Sequence, residues 1–99
     1  MSVPCCIDNL LHAASLDRKQ LPRRRAWTLP ALHLAMQELV QALAASYGDD
    51  RRALVQYAAD PALEAIFCQP PLGTAMADHL GFRHDGNARA LVERAMSVL

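Results

Sequence analysis

The sequence predicts an all-α protein: a compact bundle of five or six short helices. Three observations carry this. Eighteen of the 99 residues are Ala and fifteen are Leu, so a third of the chain is the two best apolar helix formers. Aromatics make up only 5% and β-branched residues are sparse, which disfavours sheet. No stretch alternates apolar and polar with period two over more than a few residues, whereas several repeat at helical spacing. The length allows a single domain, 1–99. At 53% hydrophobic and 20% charged, the chain is too apolar to be disordered throughout.

The first helix is expected from about Ile7 to Gln20. Ile7, Leu10, Leu11 and Ala14 recur at helical spacing, and Pro22 stops anything behind them. Residues 1–6 read as a mobile N-terminus. Residues 18–28 form a basic connector. The longest helix is expected over about 29–47. Thr28 is its cap, Pro30 falls in its first turn, and Gly48 is its stop. Its stripe of Leu32, Met36, Leu39, Val40, Leu43 and Tyr47 is the strongest periodic signal in the chain. Leu34 would lie on the far side of that helix, offering a second apolar surface.

Gly48-Asp49-Asp50 breaks the chain, and 51–59 returns as the second arm of an αα-hairpin, 29–58. Asp60-Pro61 restarts a short helix through about Phe67, with Leu63, Ile66 and Phe67 as core candidates. Residues 69–73, QPPLG, are the clearest break. Thr74 caps a short helix ending at Gly81. Asn87 caps the last one, Ala88 to about Val98.

Net charge is zero, so no global field draws the chain to nucleic acid or a membrane. The distribution is uneven. Residues 1–28 hold five cations and two acids, a balance of +3; residues 29–99 hold five cations and eight acids, a balance of −3. Arg outnumbers Lys nine to one, which reads as the trace of a GC-rich, bacterial genome. No basic segment followed by an apolar run marks a secretion signal, and no apolar run approaches a membrane span. With three Cys, an odd number, the expectation is a reduced, cytoplasmic protein with no membrane partner.

Catalysis is not expected. The acids Asp49, Asp50, Asp60 and Asp85 sit at helix starts, where capping accounts for them. No Gly-rich phosphate loop occurs. Cys5, Cys6, Cys68, His12, His79 and His84 are possible metal ligands by type, but no Cys-x-x-Cys or His-x-x-x-His spacing joins them. No cofactor and no metal site are expected. Cys68 reads as a small buried residue beside Phe67.

Two local resemblances stand out. MADHLGF, residues 76–82, resembles the first helix and turn of a DNA-binding helix-turn-helix: small Ala77, apolar Leu80, turn Gly81 and apolar Phe82. The resemblance implies a recognition helix after it, but Arg83 to Asn87 stretch the turn. Arg83, His84 and Arg89 would then meet nucleic acid. GDDRRALVQY, residues 48–57, resembles the second helix of a tetratricopeptide unit, but no second copy follows.

The function expected is that of a small, non-enzymatic, protein-binding regulator, antagonist or chaperone-like adaptor. It would act through an apolar helix face plus a basic strip. Arg23, Arg24, Arg25, Trp27, Leu34 and Met96 are the expected contacts. The partner is another protein or a second copy in a homodimer. The alternative is a DNA-binding protein with a divergent helix-turn-helix at 74–98.

Overall fold

The computed structural model describes residues 1–24 and 26–99. It is an all-α bundle of short helices, as the composition predicts, and no strand occurs among the described residues. The helices are α1 (Val3–Ser15), α2 (Met36–Tyr47), α3 (Pro61–Phe67), α4 (Ala75–His79) and α5 (Ala88–Met96). Two 3-10 segments, Arg18–Gln20 and Asp49–Leu54, follow α1 and α2.

Local chemistry sets most boundaries. The first helix, expected over Ile7 to Gln20, instead runs from Val3 to Ser15: the Ser2 hydroxyl accepts the Cys5 N–H at 3.3 Å and Pro4 occupies the first turn, while Asp17 caps a separate 3-10 segment, Arg18–Gln20. Asp60 accepts the N–H groups of Ala62 and Leu63 at 3.1 Å each, with Pro61 opening α3. Asn87 accepts from Ala90 N–H at 2.9 Å and starts α5.

The helix expected over 29–47 begins only at Met36. Residues 29–35 are extended instead. Pro30 is buried, Leu32 and Leu34 are half-buried, and Ala31, His33 and Ala35 face out. That is a period-two pattern, and two inward leucines outweigh the helix propensity of the segment. The Glu38 carboxylate then accepts the Ala35 N–H at 2.8 Å and closes the start of α2. Leu34 therefore occupies no far helical face. The second arm of the hairpin is also changed. Gly48, at φ +108°, turns the chain into the 3-10 segment Asp49–Leu54 packed on α2, and residues 55–60 are extended. The Gly48 φ is one that L side chains rarely adopt, so glycine is favoured there; the Asp50 carboxylate, 2.6 Å from where a Cβ would stand, is the free end of an exposed side chain.

α2 packs against α5, and α1 packs against α5. The buried apolar residues are Cys5, Val40, Ala44, Ala77, Phe82 and Val92. Residues 56–73 are all exposed, and the molecule measures 51 × 33 × 18 Å. Leu63, Ile66 and Phe67, expected in the core, are 51%, 63% and 77% exposed. Cys68, expected to be buried, is exposed. The reason is shared: α3 packs on no other helix among the described residues.

Candidate functional site

The candidate surface is built on α1, and it starts from the polar side of that helix. Ser2, Cys5, Asn9 and His12 lie one turn apart and face inward. Asn9 imitates a strand partner to the backbone of Arg83. Its amide donates to the Arg83 carbonyl at 2.8 Å, and its oxygen accepts the Arg83 N–H at 3.1 Å. The Cys5 thiol donates to the same carbonyl at 3.4 Å. His12 Nε2 donates to the Leu80 carbonyl at 2.7 Å, and its ring meets Phe82 edge-on at 4.9 Å.

Asp85 completes the anchor. Its side chain is fully buried and accepts the Ser2 backbone N–H at 2.8 Å and the Ser2 hydroxyl. Burial by itself pushes this carboxyl up, but the two Ser2 hydrogen bonds, then the N-terminal ammonium and Arg94, outweigh it and hold Asp85 below the usual carboxylate range. Arg94 is itself paired with Asp8 of α1. Burial, and then the Asp85 charge, push the Cys5 thiol up. Residues 1–6, expected to be mobile, are therefore docked through Ser2 and Cys5 against the 83–85 loop.

The loop that receives α1 is shaped by the 76–82 sequence. Gly81 N–H bonds the Asp78 carbonyl at 3.1 Å, and Phe82 N–H bonds the Ala77 carbonyl at 3.0 Å. This is the paired capping pattern that ends a helix on a left-handed residue, and Gly81 has φ +86°. Ala77 is completely buried and Phe82 nearly so. The resemblance to a helix-turn-helix thus holds for the turn. Beyond it, residues 82–87 form a loop that clasps α1, and α4 and α5 do not pack on each other.

With its polar side turned inward, α1 presents its apolar side to solvent. Val3, Ile7, Leu10 and Leu11 are 60%, 49%, 62% and 66% exposed. With exposed Ala14 they form one stripe at i, i+4, i+7, i+8 and i+11. The basic strip continues from its C-terminal end through Arg18, Lys19, Arg23 and Arg24, all exposed. None of these four makes an ion pair among the described residues.

The other expected contacts are distributed differently. Arg24 and Trp27 line one recess of about 250 Å³ with Gly73, Thr74 and Met76. Trp27 is half-buried, its ring 6.0 Å from that of Phe82, and serves the core as well as the surface. Arg25 lies outside the described residues. Met96 lines a separate apolar groove of about 410 Å³ between α2 and α5, with Leu39, Leu43, Leu91 and Val92. Leu34 lines neither. Of the residues expected to meet nucleic acid, two are engaged locally. His84 Nδ1 accepts the Gly86 N–H at 3.0 Å and Arg89 pairs with Glu93 at 2.8 Å, whereas Arg83 meets Asn9 through its backbone alone, and its side chain is exposed and in no ion pair among the described residues.

The sequence reading did not single out this stripe as surface, placing the apolar contacts at Leu34 and Met96 instead. A signal was present. Ser2, Cys5, Asn9 and His12 make an equally regular polar stripe on the opposite side, and it is this side that is buried. Among the described residues no three His, Cys, Asp or Glu side chains come together to hold a metal ion. No helix described is long and apolar enough to cross a membrane. Comparison with protein families, with curated proteins and with solved structures returns no match.

Proposed function

We propose that this chain is a protein-binding module whose contact surface is the outward face of α1 together with the basic strip that follows it. One observation carries the reading: α1 buries its polar stripe and leaves Val3, Ile7, Leu10 and Leu11 in water. Isolated exposed leucines are ordinary, but a continuous stripe on one helix is the footprint of a missing neighbour. A partner helix laid along it would gain apolar contact at each turn. The unpaired cations at Arg18, Lys19, Arg23 and Arg24 would favour an acidic partner and speed its approach. Regulator, antagonist and adaptor are all roles that such a surface serves.

The test is a photo-crosslinking residue placed at Leu10 in the full chain expressed in cells. Protein adducts are expected at Leu10 and not at Gln41, which is exposed on α2 and away from both the stripe and the basic strip. Equal, negligible adduct formation at both positions would refute the reading.

A further inference from the structure

We propose that the occupant of the α1 face is the α3 helix of a second copy of this chain, in a reciprocal dimer; this rests on the binding surface assigned above. α3 is the second helix with an uncovered apolar side. Leu63, Ile66 and Phe67 are exposed, and the helix packs on no other helix among the described residues. Seven residues do not hold a helix by themselves in water, so α3 needs a neighbour.

The two surfaces match in charge. From Ala53 to Phe82 the chain carries no Lys or Arg, while Asp60, Glu64 and Asp78 are acidic. Asp60 and Glu64 are exposed and make no ion pair among the described residues. On the other side stand the unpaired Arg18 and Lys19, just past the C-terminal end of α1. An antiparallel pairing sets the acidic start of α3 beside that basic end and runs Phe67 toward Ile7 and Val3. It also opposes the two helix dipoles favourably.

Length and area match as well. α3 and the segment Ile7–Ala14 each span about 10 Å at 1.5 Å per residue. Each large apolar side chain offers roughly 100 Å². Three from α3 and three from α1, used twice in a two-fold dimer, remove roughly 1,200 Å² from water, where stable specific interfaces begin.

The test is sedimentation of the full chain over a wide concentration range, alone and with Leu10→Asp, Phe67→Asp and an equal mixture of the two variants. Both residues are exposed, and circular dichroism reports whether each variant keeps its helix content. Wild type is expected to dimerise. Each variant should weaken the dimer by about tenfold or more. The mixture should recover a heterodimer, because one α3 and one α1 remain intact across it. A wild type that stays monomeric overturns the proposal. So does a dimer that loses affinity with Phe67→Asp but not Leu10→Asp, which would move α3 into the α2–α5 groove. A mixture that fails to pair, or a monomer that floats with anionic lipid vesicles, overturns it too. A Leu10 adduct with the mass of a different protein overturns the self-pairing alone and leaves the binding surface standing. No adduct at Leu10 removes both.

Discussion

Replacing Asn9 with Ala tests the central claim about α1, that polar contacts and not apolar ones decide which way the helix faces. The side chain makes two hydrogen bonds to the Arg83 backbone, at 2.8 and 3.1 Å, inside a residue only 4% exposed. Two neutral bonds contribute about 1 kcal/mol each, and the Arg83 N–H left without its partner adds about 1 kcal/mol. The better helix propensity of Ala returns about 0.5 kcal/mol. The net loss is then about 2.5 kcal/mol, a lowering of Tm by roughly 10–20 °C for a domain of this size. Urea unfolding and thermal melts in dilute solution measure it. Leu11→Ala, two positions along the same helix, is the control. Leu11 is 66% exposed, so its loss should stay within about 0.5 kcal/mol. If Asn9→Ala costs under 1 kcal/mol, or if Leu11→Ala costs more than Asn9→Ala, the orientation of α1 has been explained wrongly.

Gly81→Ala should destabilise by roughly 1–2 kcal/mol, because φ is +86° and the new Cβ would stand 3.2 Å from His12 Nε2; a melt unchanged from wild type would count against the turn. Asp85 links stability to pH. Its folded-state pKa is lowered, so its contribution is complete above the unfolded value of about 3.9 and is lost as pH falls through the folded value. Asp85→Asn should flatten that part of the acid profile, and an acid limb identical to wild type would remove the assignment. Thiol titration of the native protein should show two fast groups, Cys6 and Cys68, and one slow group, the buried Cys5; three equal rates would show that α1 is not docked as described.

Much of the chain was legible locally. Asp60-Pro61, Asn87, Gly48 and the Gly81-Phe82 turn do what short-range chemistry says they should, because a cap or a left-handed residue acts within one turn. The failures are of another kind. Residues 30–34 read as helix until two leucines and a proline are seen facing one side of an extended strip. Leu63, Ile66 and Phe67 have the spacing of a core and no core to enter. The sequence drew attention to the basic residues and to Leu34 and Met96, while the exposed apolar stripe of α1 became visible only in the structure.

By itself the sequence determined an all-helical chain, the end of α2 at Gly48, the starts of α3, α4 and α5, and a strongly basic segment ahead of an acidic one. These depend on residue propensities and on neighbours within about four positions. Only the tertiary structure decided which face of α1 is inside. Both faces of that helix are regular. The choice lies with the Arg83 carbonyl, the Asp85 carboxylate and the Leu80 carbonyl, more than sixty residues away, whose buried hydrogen bonds Ser2, Cys5, Asn9 and His12 satisfy. An unsatisfied buried polar group costs more than an exposed leucine, so the polar face goes in and the apolar face is left in water.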